Sequence, residues 1–199
     1  MIDNYDSFVY NLVSYFLEED VEIEIIRNDM VELKYIDELI EKNLLDGIII
    51  SPGPKSPKDC GSCKEIVERY YKTIPIFGVC LGHQIIGYVF GAEVKKGETP
   101  VHGKVHGIKN TGERIFKNIP SNINVTRYHS LVIDGKSLSD EFVVDATTFD
   151  GVIMAISHKK YPLYGVQFHP EAVLTECGHE MVQNFLNLAK SWRQYGSCS

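Results

Sequence analysis

Cys80 lies in Gly78-Val79-Cys80-Leu81-Gly82-His83-Gln84, directly after the apolar pair Ile76-Phe77. An apolar strand that runs into Gly-x-Cys-x-Gly and then into a helix has the form of a nucleophile elbow. Such a sharp strand-to-helix turn projects a reactive side chain into solvent. Side chains at Gly78 and Gly82 would clash across that turn. The helix N-terminus beyond Cys80 favours the thiolate, and the Leu81 backbone N–H falls where an oxyanion donor is needed. Taken alone, the pattern fits a buried structural cysteine equally well, because free cysteines are often buried. A cysteine nucleophile also needs a base, and the base needs a group to orient it.

Gln167-Phe168-His169-Pro170-Glu171 offers both. Pro170 fixes its own φ and biases His169 toward extended geometry. Positions i and i+2 of an extended segment point the same way, so His169 and Glu171 can lie side by side. A carboxylate there would hold one imidazole tautomer and stabilise the imidazolium. By itself His-Pro-Glu is more often a surface turn. Beside Cys80, at the end of another strand, it becomes one coherent site.

The elements that must position these groups alternate strand and helix. Helical spacing over residues 8–17 places Phe8, Leu12, Tyr15 and Phe16 on one face, with Asp6 or Ser7 as N-cap. Val21–Ile26 alternates apolar and acidic residues as a half-buried strand does. Helices are expected over 33–42, 63–72 and 82–90. Buried strands are expected over 45–50, which is cut off by Ser51-Pro52-Gly53-Pro54, and over 74–79. From about Glu93 the rhythm changes to short β-rich pieces at 101–108, 123–127, 142–146, 152–157 and 164–168, closed by an amphipathic helix over 180–193. The expected fold class is α/β: an open, mostly parallel twisted sheet flanked by helices, with a β-rich second half. No linker divides it, so residues 1–199 read as a single domain. Catalytic groups in such sheets gather at the carboxyl ends of the strands.

Composition narrows the function classes. The 199 residues carry 20 Lys+Arg against 27 Asp+Glu, a net charge of -7, which argues against nucleic acid as a partner. No apolar run approaches the roughly 20 residues that span a bilayer, and the first residues lack the form of a signal peptide. A cytoplasmic protein without membrane contact is therefore expected. The five cysteines, odd in number and without framework spacing, argue against a disulfide scaffold. Cys60-Gly61-Ser62-Cys63 matches C-x-x-C but lacks a second pair for zinc, and is read as small residues in a loop. Cys198 is expected in an exposed tail. Asp3 and Asp6 suit turn formation and capping better than metal ligation. His102 and His106 lack a carboxylate or cysteine at ligand spacing. His83 and His129 are read as structural. Residues 1–49 hold 13 acids against 3 bases, read as solvated helix faces, with a basic partner surface as the alternative.

Five motifs occur in order: Asp3-Asn4-Tyr5-Asp6-Ser7-Phe8, Ser51-Pro52-Gly53-Pro54, the Cys80 elbow, Arg127-Tyr128-His129-Ser130-Leu131, and Gln167 through Glu171. Together they resemble the signatures of class I, triad-type glutamine amidotransferases, across essentially the whole chain. The first and fourth resemble the small subunits of anthranilate synthase and aminodeoxychorismate (para-aminobenzoate) synthase. The resemblance implies a flavodoxin-like strand order and a glutaminase that passes ammonia to a chorismate-using synthase large subunit, component I. It implies Cys80 as nucleophile, His169 as base and Glu171 as its orienter. Gly53 and Leu81 would supply the oxyanion N–H groups. Pro54, Lys55, Gln84, Ser130 and Leu131 would complete the L-glutamine site. No cofactor is implied in this chain, whereas the partner synthase is expected to need Mg²⁺.

The sequence departs from that family's usual pattern at Lys55, at Val105-His106 and at Ala172, none of which removes a catalytic group. Only Met1-Ile2 precede Asp3, too little for a full first strand of about five residues, so a truncated or misplaced start is expected to weaken the fold. The alternatives are a glutaminase subunit for another acceptor, a non-catalytic regulatory subunit, or a cysteine peptidase on the same elbow. The choice between anthranilate and aminodeoxychorismate is made by the large subunit.

Overall fold

The computed structural model describes residues 1–195 of the chain, and Cys198 lies outside the described residues. Its first half contains β1 (Ile2–Asp3), α1 (Val9–Leu17), β2 (Ile26–Arg27), α2 (Leu33–Glu41), β3 (Ile48–Ile50), α3 (Cys63–Tyr70), β4 (Ile76–Val79) and α4 (Leu81–Val89). The second half contains β5 (Val94–Asn110), β6 (Asn122–Ile133), β7 (Phe142–Thr148), β8 (Ile153–His158), β9 (Leu163–Val166) and α5 (Gly178–Tyr195). All nine strands join one sheet in the order β2-β1-β3-β4-β9-β8-β7-β5-β6. Pairing is parallel from β2 through β9 and antiparallel from β9 to the far edge.

Burial explains this layering. Every residue of β3, β4 and β9 is buried, as befits strands covered on both faces. On one face Leu12 and Phe16 of α1 pack with Met181, Val182 and Phe185 of α5 over Ile49, Phe77 and Val79. On the other, Ile66 and Val67 of α3 and Leu81, Ile85 and Ile86 of α4 pack over Ile48, Ile50 and Ile76.

Two local expectations are corrected. The strand expected over 21–26 is only Ile26–Arg27, because β1 offers just the two partner positions Ile2 and Asp3. Helix α1 starts at Val9 with Phe8 as N-cap and no side-chain cap, rather than at Asp6 or Ser7. Asp6 instead closes a turn: its N–H donates to Asp3 Oδ1 at 3.2 Å, and its Oδ2 accepts from the Phe8 N–H at 2.8 Å.

The second half holds longer strands than the turn residues suggest. β5 and β6 pair from Val94↔Ile133 to Lys109↔Asn122, with register shifts between Lys96 and Val101 and between His102 and Lys104. Bulges of this kind re-aim side chains near functional sites. Here they bring His102 and the Tyr128–Leu131 stretch of β6 to the wall of the same cavity as Cys80.

Candidate active site

Cys80 occupies the junction of β4 and α4 with φ 52° and ψ -97°, a left-handed backbone that a β-carbon disfavours. The turn is held because nothing larger than hydrogen fits around it. A β-carbon on Gly78 would lie 2.5 Å from the Gly82 carbonyl carbon, and one on Gly82 would lie 2.4 Å from the Ile50 carbonyl oxygen. The Cys80 N–H donates to Val166 O at 2.8 Å, which ties the elbow to the end of β9.

Three residues past Val166, the chain presents His169. Its backbone N–H donates to Thr126 O at 3.1 Å and its carbonyl accepts from Thr175 Oγ1 at 2.7 Å. Its Nδ1 meets Glu171 Oε1 at 2.6 Å, with both side chains almost wholly buried. Tyr128 packs against the imidazole edge-on, 5.1 Å between ring centroids, and Phe8 does so at 6.4 Å. Nε2 is buried without a partner in hydrogen-bonding geometry. Burial is the largest influence on this imidazole and disfavours its charge, but the Cys80 thiol and the Glu171 carboxylate outweigh it and raise the pKa. The ring is thus poised between a sulfur and a carboxylate, the arrangement that lets it take and return a proton.

A hydrogen-bond network backs the sulfur. Gln167, fully buried, donates from Nε2 to Cys80 Sγ at 3.7 Å, and its Oε1 accepts from Gln84 Nε2 at 3.1 Å. Gln84 Nε2 also donates to Leu131 O at 3.0 Å. His129 is held neutral: Nδ1 donates to the same carbonyl at 2.9 Å while Nε2 accepts from Arg127 Nε at 3.1 Å. Burial, then the adjacent guanidinium, depress its pKa to about 4. Sequence reasoning missed Gln167, which lies in a bend just past β9 where no same-face spacing marks it.

An open cavity of about 530 Å³ lies over the thiol, lined by Gly53, Pro54, Lys55, Cys80, Leu81, Gln84, Ser130 and Leu131 among others. All ten sequence-nominated residues but His169 and Glu171 line it. A second hollow of about 270 Å³, beyond Tyr128, reaches those two. The Gly53 and Leu81 N–H groups donate to no protein acceptor among the described residues. Lys55 is drawn aside, its Nζ 3.1 Å from Asp59 Oδ2 and largely exposed, so its ammonium is engaged in a surface ion pair. Cys60 lies in irregular chain and Cys63 opens α3, both as expected, but both side chains are buried. Burial raises the pKa of both thiols. Among the described residues no group of three or more His, Cys, Asp and Glu side chains could hold a metal ion. No helix among them is long and apolar enough to cross a membrane.

Fold and site together define an α/β protein with a cysteine elbow facing a histidine–carboxylate pair. The family model for class-I glutamine amidotransferases matches residues 1–189. The chain belongs to that family. It is 49% identical over 189 residues to anthranilate synthase component 2 of Cyanophora paradoxa, covering 94% of this chain and 97% of that protein. It is 46% identical over 186 residues to aminodeoxychorismate/anthranilate synthase component 2 of Bacillus subtilis, covering 94% of each. Among solved structures, a putative GMP synthase component from Thermoplasma acidophilum superposes with a TM-score of 0.84 at 28% identity, covering 98% of this chain and 95% of that one.

Proposed function

We propose that this chain is the glutaminase subunit of a chorismate-using synthase, releasing ammonia from L-glutamine for anthranilate synthesis, aminodeoxychorismate synthesis or both. The single observation that carries the reading is the convergence of Cys80, His169 and Glu171 from the ends of two neighbouring strands. In this reading His169 takes the Cys80 thiol proton as the sulfur attacks the side-chain amide carbon of glutamine, and the carbonyl oxygen takes up negative charge between the Leu81 and Gly53 N–H groups. The C–N bond then breaks, and ammonia leaves with a proton from His169, which Glu171 keeps oriented. Water, deprotonated by the same imidazole, hydrolyses the γ-glutamyl thioester to glutamate and restores the thiol. Gln84, Ser130 and Leu131 frame the glutamine, and the partner synthase supplies the chorismate chemistry with its own Mg²⁺. The component 2 names of the relatives support partnership with a separate large subunit.

The test replaces Cys80 with Ser in the assembled complex. Glutamine-dependent product formation is expected to fall by roughly 10³-fold or more, the scale of losing a nucleophile. Ammonium chloride at moderately alkaline pH is expected to restore synthesis. Glutamine-dependent turnover that survives in the mutant would remove Cys80 as nucleophile, and failed ammonia rescue in an intact complex would remove ammonia release as its role. The product formed with each candidate large subunit identifies the pathway.

A further inference from the structure

We propose that Asn4 is a positioning residue for the oxyanion site, holding the loop that carries the Gly53 N–H. The inference rests on the reading of Cys80 as the nucleophile. The two donors of that site are held very differently. Leu81 belongs to α4 and is fixed by the helix. Gly53 lies in irregular chain just beyond β3 and is flanked by Pro52 and Pro54, neither of which has an N–H to anchor the loop.

Asn4 supplies the missing anchorage from the end of β1. Its backbone N–H donates to Ser51 Oγ at 2.9 Å, and its Nδ2 donates to Ser51 O at 2.9 Å. The Ser51 hydroxyl in turn donates to Pro52 O at 2.7 Å. Steric fit adds to these bonds. A β-carbon on Gly53 would lie 2.6 Å from Asn4 Cβ and 2.8 Å from both Asn4 O and Leu81 Cδ2. Gly53 is therefore wedged between Asn4 and Leu81, so that a shift of Asn4 must displace the Gly53 amide.

The Asn4 carboxamide is itself clamped. Its Oδ1 accepts from Asn28 Nδ2 at 2.8 Å and from the Cys63 thiol at 3.3 Å. Asn28 is tied down at both ends of its backbone, by its N–H to Asp3 O and by its carbonyl to the Ser62 N–H. Asn4, Ser51, Asn28 and Cys63 are all buried. A buried polar network whose members satisfy one another is rigid, and a half-satisfied one is costly. The buried Cys63 thiol thus has a use that needs no redox chemistry: it is the second donor that fixes the Asn4 amide plane.

A misplacement near 1 Å of a group acting on the transition state costs roughly 10²-fold in rate. In the assembled complex, Asn4→Ala is expected to lower kcat for glutamine by about that factor while KM changes little. Ammonia-driven synthesis is expected to stay intact. Alkylation of Cys80 by iodoacetamide, a displacement at a saturated carbon that develops no carbonyl oxyanion, is expected to stay within about twofold of the parent. Cys63→Ala is expected to show a smaller loss of kcat with the same split, and Cys63→Ser to recover it, because a hydroxyl replaces the thiol donor. If kcat and alkylation fall together, or kcat does not fall, the proposal is overturned. If Asn4→Ala does not fold, the two Cys63 variants carry the test, and equal kcat in both overturns it. Cys80→Ser separates this from failure of the nucleophile reading, since that variant tests the sulfur without touching Asn4.

Discussion

His83 sits in α4 three residues past Cys80, fully buried, with both ring nitrogens lacking a side-chain hydrogen-bond partner in good geometry. Burial depresses its pKa to about 3, partly opposed by the Gly165 backbone. The His83 imidazole is thus neutral in the folded chain at any ordinary pH, whereas in the unfolded chain it titrates near 6.5. The unfolded state therefore binds the extra proton, and stability must fall as pH drops below about 6.5. Each pH unit costs about 1.36 kcal/mol per such histidine. From pH 6.5, where the unfolded imidazole is already half protonated, to pH 5 the loss is about 1.6 kcal/mol for His83, and about the same again for His129, whose folded pKa is about 4. Against a typical total of about 5–15 kcal/mol, that is a large fraction. Urea midpoints measured between pH 5 and 7.5 on the full chain read it directly. His83→Leu removes one titration and fills most of the same space, so its acid slope is expected to be about 1.4 kcal/mol per pH unit shallower, whatever its absolute stability. Groups common to both proteins cancel in the difference. Equal slopes in the two proteins would refute the claim that His83 folds neutral.

Gly82→Ala places a β-carbon 2.4 Å from the Ile50 carbonyl oxygen, a backbone atom with no free end to swing away. A cost of about 3 kcal/mol or more is expected, which differential scanning calorimetry should register as a melting temperature lower by roughly 6–12 °C. The histidine–carboxylate pair separates by a different measurement. In the complex, His169→Ala is expected to lose about 10³-fold or more in glutamine-dependent kcat with ammonia-driven synthesis retained, and Glu171→Ala to lose less, since the carboxylate orients without reacting. A larger loss for Glu171→Ala would reverse those roles.

The site was legible in the sequence wherever one short segment dictates its own geometry. Gly78 and Gly82 announce the elbow because two missing side chains at that spacing have few other uses. His169 and Glu171 do lie side by side, but not through the extended geometry that Pro170 suggests: the Ala172 N–H donates to His169 O at 3.3 Å, so Pro170 and Glu171 form a turn that folds the carboxylate back to the imidazole. Where geometry depends on distant partners, the sequence says less. The alternation in Val21–Ile26 is that of a strand, but a strand also needs a neighbour, and β1 offers only Ile2 and Asp3. The burial of Cys60 and Cys63 is not legible in C-x-x-C, because it comes from packing in the core beside α3 and, for Cys63, from Asn4, 59 positions away. Gln167 escaped the sequence reading because what marks it is its contact with Cys80, 87 residues away.

The strand order explains why such separated segments form one site. β9 is parallel to β4 and antiparallel to β8, so it is the seam between the two halves of the sheet. Register there pairs Val79 with Val166, which brings both strands to an end at the same level. The chain leaves β4 into the Cys80 turn and leaves β9 toward His169, and the Cys80 N–H donating to Val166 O fixes the height of one exit against the other. A one-residue slip of β9 against β4 would turn every β9 side chain to the opposite face. It would also separate the sulfur from the imidazole by about one residue rise, roughly 3.3 Å. The buried residues of β4 and β9 therefore do more than stabilise the core. By fixing that register they set the distance over which the proposed proton transfer occurs, so a core packing requirement and a catalytic one fall on the same eight residues.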